Sequence, residues 1–239
     1  MSRNAGIITF KDVSYEHQEG KPILVETSFS IRRGAKFTLM GKNGAGKSTL
    51  FGLITGQYST VYGNVFIMPK ISIAVSKQVI PKEELELTIR DFFQNLFEEK
   101  VYNIDSRIDE VLEIINLGTE KGTEVYETFK DRTVGSFSGG QQARLLLASA
   151  LILKPEVLLL DEPTNNLDVE GIAYLTKFLK EYKKTVIVIS HDAEFLNSFT
   201  QGVLYLNSQT RKIEKYDGNY NNVVGEIERQ VAKETRKNA

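Results

Sequence analysis

The strongest chemical signal in the sequence is a glycine-rich loop at residues 41–48, which follows a short apolar run. Its sequence, Gly-Lys-Asn-Gly-Ala-Gly-Lys-Ser, satisfies the phosphate-loop pattern in full. Glycines let the backbone wrap tightly, so that successive N–H groups point at phosphate oxygens, and a following helix adds the positive end of its dipole. Lys47 is then expected to reach the β- and γ-phosphates, and the Ser48 hydroxyl to bind Mg²⁺. The candidate nucleotide-binding residues are Gly41, Lys42, Asn43, Gly44, Ala45, Gly46, Lys47, Ser48 and Thr49.

A pair of adjacent carboxylates ends a continuous apolar run at residues 157–162, Val-Leu-Leu-Leu-Asp-Glu. Such a run is what a central strand of a parallel sheet requires, because both of its faces are covered. Asp161 is expected to hold Mg²⁺ through a water molecule, and Glu162 to polarise or position an attacking water. Two neighbouring acids are a weak signal alone, but downstream of a phosphate loop they indicate nucleotide hydrolysis.

A second glycine-containing segment, Ser-Phe-Ser-Gly-Gly-Gln-Gln at residues 136–142, places Ser138 23 residues before Asp161. It resembles the signature of ATP-binding cassette proteins, Leu-Ser-Gly-Gly-Gln, which comes directly before a helix. Phe137 stands where leucine is usual, so the hydrophobic character is kept. Small residues and backbone N–H groups at the start of a helix make an anion site. The resemblance implies that Ser138 and Gly140 contact ATP held by a partner domain.

The same resemblance assigns roles to residues that carry little signal of their own. Gln78, after an expected strand at 71–75, matches the glutamine that senses Mg²⁺ and the attacking water. His191, after an expected strand at 185–190, matches the histidine that contacts the γ-phosphate. Residues 166–168, Asn-Leu-Asp, resemble the loop that crosses to the partner domain.

The adenine base has two candidate contacts. The family stacks adenine on an aromatic residue shortly after the first strand. Counting from Val13 places His17 at that position, with Tyr15 two residues earlier. An imidazole can stack on a base but offers less area than a phenol ring. The register favours His17, and Tyr15 remains the alternative.

Strands alternate with helices along the chain, which predicts an α/β fold. We expect a P-loop NTPase (RecA-like) core with a mostly parallel sheet, an antiparallel β subdomain and a helical subdomain at about residues 81–150. Residues 1–239 are interpreted as one domain, with a C-terminal helix at about 221–239.

Three features predict helix boundaries within the helical subdomain. Ser106 and Asp109 have the spacing of a capping box, and Gly118 marks the expected end of that helix. A further helix is expected to follow the signature segment and to continue to about residue 152.

Composition limits the class of protein. The 30 lysines and arginines are balanced by 31 acidic residues, so any contact with RNA must come from a local patch. The absence of cysteine excludes disulfides and thiolate metal sites. The N-terminal segment lacks the apolar core of a signal peptide, and no apolar run approaches the ~18 residues of a membrane span. These features predict a cytoplasmic protein without direct membrane insertion.

Two segments narrow the resemblance to the ABC-F group. Residues 161–168 contain Asn-Asn where transporter ATPases more often have Ser-Ala, and Tyr-Asp-Gly-Asn-Tyr at 216–220 resembles the end of an ABC-F cassette. Members of this group carry two cassettes on one chain, lack membrane domains and act on ribosomes, and some protect against antibiotics. The resemblance implies ATP and Mg²⁺ as cofactors. It also implies a second cassette as partner, in a longer chain or a homodimer, and contact with the ribosome and its RNA.

The alternative function is the nucleotide-binding subunit of a membrane transporter. The spacing of 58 positions from Gln78 to Ser136 leaves little room for the arm that some ABC-F members insert there. This short spacing also excludes the long coiled coils of chromosome-maintenance ATPases.

A thin apolar stripe in residues 221–239 predicts a helix that either packs on its own domain or leads into an interdomain linker.

Overall fold

A computed structural model describes residues 6–76, 79–118 and 128–237 of the chain. These residues form two compact units. The terminal unit comprises Met1–Ile71 and Lys183–Ala239 and contains the phosphate loop. The central unit comprises Ser72–Tyr182 and contains the paired carboxylates and the signature segment.

The strands, in chain order, are β1 (Gly6–Glu16), β2 (Pro22–Arg32), β3 (Lys36–Gly41), β4 (Tyr62–Ile67), β5 (Ile73–Val75), β6 (Val157–Asp161), β7 (Thr185–Ile189), β8 (Gly202–Leu206) and β9 (Ile213–Asp217). The helices are α1 (Lys47–Ile54), α2 (Ile89–Gln94), α3 (Ile104–Ile114), α4 (Gly139–Ile152), α5 (Val169–Glu181), α6 (Ala193–Phe199) and α7 (Tyr220–Lys237). None of the helices in the described ranges is both long enough and apolar enough to cross a membrane.

The terminal unit contains an antiparallel sheet with strand order β2-β1-β4. Thr27, Phe29 and Ile31 of β2 are buried while the residues between them are more exposed, as expected of a strand that covers a core with one face. Phe29 pairs with Phe10 of β1, and the two rings stack with centroids 4.6 Å apart. This sheet confirms the predicted antiparallel β subdomain.

The terminal unit also contains parallel strands that position the phosphate loop. Strand β3 pairs in parallel with β7 on one side and β8 on the other, and β8 pairs with β9 in antiparallel fashion. All five residues of β7 are buried, as the continuous apolar run predicts. Because β3 and β7 run in the same direction, Gly41 at the end of β3 and His191 after β7 lie at one edge of the sheet.

The first half of α7 packs on its own unit. Val223 and Ile227 are both buried and form a cluster with Val203 of β8. This part of the helix therefore packs on its own unit, and its continuation into an interdomain linker stays a prediction.

The central unit pairs a short parallel sheet with helices. Ile73 of β5 lies opposite Val157 of β6. Arg90 of α2 donates to both oxygens of Asp105 in α3, at 2.8 and 3.2 Å, and also contacts Asp131. One guanidinium thus joins two helices and the segment that precedes the signature.

The helix boundaries predicted around α3 are wrong. The helix begins directly after Asn103, so Ser106 and Asp109 lie inside it and form no capping box. It also ends before Gly118, because Asn116 adopts a left-handed backbone with φ of 48°, which a continuing helix does not allow.

Candidate functional site

The phosphate loop connects β3 to α1 through two glycines with left-handed backbones. Gly44 has φ of 77° and Gly46 has φ of 107°. Residues that carry a Cβ adopt such backbone conformations only at an energetic cost. The N–H of Ala45 donates to the carbonyl of Lys42 at 3.1 Å and closes the turn. A Cβ at Gly46 would lie 2.2 Å from Cγ2 of Ile23, so both conformation and space require glycine there.

The start of α1 has the character of an anion site. Gly46 is its N-cap residue, and no side chain caps the first turn. Lys47 lies over the loop, where its Nζ donates to the Gly41 carbonyl at 2.9 Å and to Oδ1 of Asn43 at 3.3 Å. A phosphate group would give this ammonium a charged acceptor in place of neutral ones, which makes a stronger hydrogen bond.

His191 lines the same cavity as the phosphate loop. The cavity has a volume of about 530 Å³ and lies within the terminal unit. His191 is exposed, and its neighbour Asp192 caps α6 by accepting from the N–H of Phe195 at 2.9 Å, which fixes the turn after β7. The phosphate-loop and β7-end residues of the lining are Gly41, Lys42, Lys47, Ser190 and His191.

Four further residues line this cavity and were not identified as site residues from the sequence. Tyr205 comes from β8, and Tyr220, Ile227 and Glu228 come from α7. The apolar stripe of α7 is the signal that could have found Ile227, since it identifies the face that packs inward. The C-terminal helix therefore borders the space beside Lys47.

The two candidates for adenine contact have different surroundings. The Tyr15 side chain is buried, with 8 % of the residue exposed, and its ring stacks on Tyr58 with centroids 5.5 Å apart. Its hydroxyl lies 2.9 Å from Nδ1 of His17, and Nε2 of His17 lies 3.2 Å from Oγ1 of Thr49. His17 is exposed beside the first turn of α1. His17 is therefore the more accessible of the two rings, and its role as the stacking residue stays a prediction.

The paired carboxylates lie at the end of β6 in the central unit, where Asp161 is the last residue of the strand and Glu162 follows it. Glu162 has a left-handed backbone with φ of 49°, an uncommon conformation for a residue with a side chain and one that occurs often at functional sites. Asp161, Glu162, Asn166 and Ser76 contribute to the lining of one cavity of about 210 Å³. Gln78 lies outside the described residues.

The signature segment forms the predicted helix start. Ser138 is the N-cap of α4, its hydroxyl accepts from the N–H of Gln141 at 3.4 Å, and the Gln141 side chain accepts from the Ser138 N–H at 3.0 Å. Gly139 and Gly140 are exposed, and a Cβ at either would meet no atom within 4 Å. The segment thus presents backbone N–H groups on an open surface, as an external anion would require.

The oxygen atoms available in each unit suit Mg²⁺. Ser48 offers a hydroxyl at the start of α1, and Asp161 offers a carboxylate at the end of β6. Among the described residues no three His, Cys, Asp or Glu side chains cluster as a metal cage. Mg²⁺ in nucleotide enzymes is held by one or two protein oxygens together with phosphates and water, so these donors fit the ion.

Comparisons with known proteins agree with this geometry. The family model described as ABC transporter matches residues 24–165. The ATP-binding protein Uup of Buchnera aphidicola subsp. Schizaphis graminum is 35% identical over 198 residues, covering 83% of this chain and 32% of that protein. The energy-dependent translational throttle protein EttA of Escherichia coli K12 is 31% identical over 247 residues, covering 91% of this chain and 44% of that protein.

Solved structures share the fold. The ATP-binding cassette MJ0796, determined as a dimer in a post-hydrolysis state with ADP and phosphate, aligns with a TM-score of 0.70 at 24% identity, over 88% of this chain and 98% of that one. The predicted P-loop NTPase fold is confirmed. The chain spans about half or less of the length of the first curated relatives it matches.

Proposed function

Because this chain belongs to the ABC transporter family, as an ATP-binding cassette, we propose that it binds MgATP and hydrolyses it to ADP and phosphate. The observation that carries the proposal is the cavity of the terminal unit, where Lys47 and His191 face one space at the carboxyl ends of parallel strands. Ligands of open α/β sheets bind at this edge.

The residues of the chain have distinct roles in this proposal. Lys47 and the loop N–H groups bind the β- and γ-phosphates, and His191 contacts the γ-phosphate. Ser48 and Asp161 hold Mg²⁺, with Gln78 as a further ligand that senses the attacking water. The ion neutralises charge on the phosphates. Glu162 orients and polarises the attacking water.

Hydrolysis in this proposal requires a second cassette. Ser138 and Gly140 contact the ATP held by that partner, which is a second domain of a longer chain or another copy of this one. The first turn of α4 supports this role, since Gly139 and Gly140 are exposed. The test is ATP turnover measured over a concentration series of the chain. Turnover per chain should rise with concentration, and a rate independent of concentration would contradict a shared site.

The cellular role that we propose is that of a cytoplasmic ABC-F type factor acting on the ribosome, in translation or antibiotic resistance. The names of the relatives support translation, since one of them is a translational throttle protein. The Gly-Asn-Tyr segment, on which the ABC-F resemblance rests, leads into α7. Its Gly218 has φ of 138° and donates its N–H to the Gln201 carbonyl at 2.8 Å.

Co-sedimentation tests the cellular role directly. Glu162→Gln should slow hydrolysis and leave the protein in its ATP-bound state. We expect this variant to pellet with ribosomes through a sucrose cushion in ATP and to be released by raised salt, because contacts with RNA phosphates are salt-dependent. Recovery with a membrane complex, and not with ribosomes, would instead identify a transporter subunit.

A further inference from the structure

Asn116 joins the end of α3 to the start of α5. Its side-chain Nδ2 donates to both carboxylate oxygens of Asp168, at 3.2 and 3.1 Å. The same carboxylate caps α5 by accepting from the N–H of Gly171 at 2.8 Å. Asn116 reaches this position because its backbone is left-handed, a conformation that asparagine tolerates better than most residues.

Arg144 of α4 holds the same segment from the other side. Its Nε donates to the Asn166 carbonyl at 2.7 Å, and a terminal nitrogen donates to the Asn116 carbonyl at 2.9 Å. The second terminal nitrogen lies 3.6 Å from the Asp168 carboxylate. Only 18 % of the Arg144 side chain is exposed, whereas 51 % of the Asp168 side chain is.

These contacts form a closed network that we call the clamp, made of Asn116, Arg144, Asp168 and the Asn166 carbonyl. It spans three helices of the central unit, since α3 ends before Asn116, α4 carries Arg144 and α5 begins after Asp168. Arg144 and Asn166 also line the 210 Å³ cavity into which Asp161 and Glu162 face. The clamp therefore forms part of the wall beside the two carboxylates.

We infer that Asn116 and Arg144 are positioning residues, which hold residues 165–168 beside Glu162 and link the signature helix α4 to that segment. The inference rests on the proposed ATPase function. When a partner's ATP contacts the signature segment and displaces α4, Arg144 transmits the displacement to the Asn166 carbonyl. The wall of the cavity beside Glu162 changes as a result. Loss of the clamp leaves nucleotide binding at the phosphate loop intact and lowers the rate of the chemical step.

The sharpest test exchanges the amide of Asn116 and the carboxylate of Asp168. Asn116→Asp keeps size and left-handed tolerance but places a carboxylate against that of Asp168. Adding Asp168→Asn restores one amide and one carboxylate, with donor and acceptor exchanged, and asparagine remains a good N-cap. Glu110→Gln serves as the matched control, because it removes a carboxylate of α3 whose exposed ion pair with Lys154 lies outside the clamp.

The first measurement is backbone hydrogen exchange of residues 165–168, which needs no ATP turnover. We expect exchange about tenfold faster in Asn116→Asp, a return to within about threefold of wild type in the double variant, and no change in Glu110→Gln. Equal exchange in Asn116→Asp and wild type would show that the amide does not hold the segment, and the clamp would be rejected.

The second measurement is ATP turnover together with nucleotide affinity. Asn116→Asp should lower kcat about tenfold with unchanged affinity for a fluorescent ATP analogue, and the double variant should recover most of the rate. Faster exchange without loss of kcat, or loss that the double variant does not recover, would overturn the positioning role. Absence of both nucleotide binding and turnover in wild type at every concentration would refute the proposed function, and hydrogen exchange would still decide the clamp.

Discussion

The Nε2 atom of His17 lies 3.2 Å from Oγ1 of Thr49, which joins the segment after β1 to the first turn of α1. The other ring nitrogen contacts the Tyr15 hydroxyl at 2.9 Å. The imidazole is edge-on to the rings of Tyr15 and Tyr58, at 86° to each. Two hydroxyl groups therefore fix the orientation of an exposed ring beside the phosphate loop.

Replacing His17 should weaken ATP binding and reduce the preference for adenine. Stacking of a base on a side-chain ring contributes about 1 kcal/mol or more, so His17→Ala should lower affinity roughly fivefold. His17→Phe should retain most of the affinity. Tyr15→Phe is the matched control, since it keeps the stack on Tyr58 and removes only the hydroxyl. Competition of ATP and GTP against a fluorescent nucleotide measures both effects, and a larger loss in Tyr15→Ala than in His17→Ala would reverse the assignment.

Gly46→Ala should impair nucleotide binding more than Gly44→Ala. Both positions have left-handed backbones, so each substitution costs roughly 1–2 kcal/mol in strain. At Gly46 the new methyl would also overlap Ile23, whereas at Gly44 it meets no atom within 4 Å. Isothermal titration with ATP compares the two, and adding Ile23→Ala to Gly46→Ala should recover part of the affinity. Equal losses in the two glycine variants would show that space at Gly46 is unimportant.

The elements with strong local patterns could be predicted from the sequence. Strand β6 lies within the apolar run at residues 157–162 that predicted it, and α4 ends at the predicted residue 152, because a continuous apolar run and the signature glycines mark these elements. Strands β4 and β9 were not predicted, since neither has a clear apolar alternation: β4 leaves Tyr62 and Phe66 exposed at a sheet edge, and Ile213 is the only buried residue of β9.

The contacts that build the clamp could not be predicted, because they join residues far apart in the sequence. Asn116 and Asp168 are 52 positions apart, and Arg144 and Asn166 are 22 apart. The assignment of Ser106 as a cap failed for a related reason. The capping-box spacing also occurs inside helices, and only the backbone of Asn103 shows where α3 begins.

Lys47→Ala should greatly reduce affinity for MgATP while the fold remains intact. Its Nζ donates within the loop itself, to the Gly41 and Lys42 carbonyls and to the Asn43 side chain. A charged hydrogen bond to phosphate contributes about 1.5–3 kcal/mol, so affinity should fall roughly ten- to a hundredfold. Lys42→Ala, at an exposed lysine of the same cavity, should have a smaller effect. Fluorescent-nucleotide titration with circular dichroism separates lost binding from lost folding, and unchanged affinity would remove the phosphate loop from the proposal.

Arg90→Gln should remove part of the pH dependence of stability at acid pH. The hydrogen bond from Arg90 holds the pKa of Asp105 below its usual value. The stabilisation is therefore complete above about pH 4 and is lost as the pH falls through the lowered pKa. It should be about 1 kcal/mol or less, because nearly half of the Asp105 side chain is exposed. Urea unfolding should show a difference between wild type and variant at pH 6 that shrinks at pH 3, and a constant difference would contradict this pairing.

Glu162→Gln should convert the chain into an ATP-dependent dimer. The glutamine keeps the size of the side chain but cannot act as a base, so bound ATP persists and continues to bridge the phosphate loop of one cassette and the signature of its partner. Light scattering after gel filtration in MgATP should show a larger dimer fraction than wild type, and removing Mg²⁺ with EDTA should reverse it. Two second-site variants provide controls. Lys47→Ala should abolish the dimer by preventing ATP binding, and Ser138→Arg should abolish it by blocking the open first turn of α4 while ATP still binds. A dimer that survives Ser138→Arg would show that the signature is not the contact, whereas an ATP-independent monomer in every variant would exclude a homodimer and leave a different cassette as the partner.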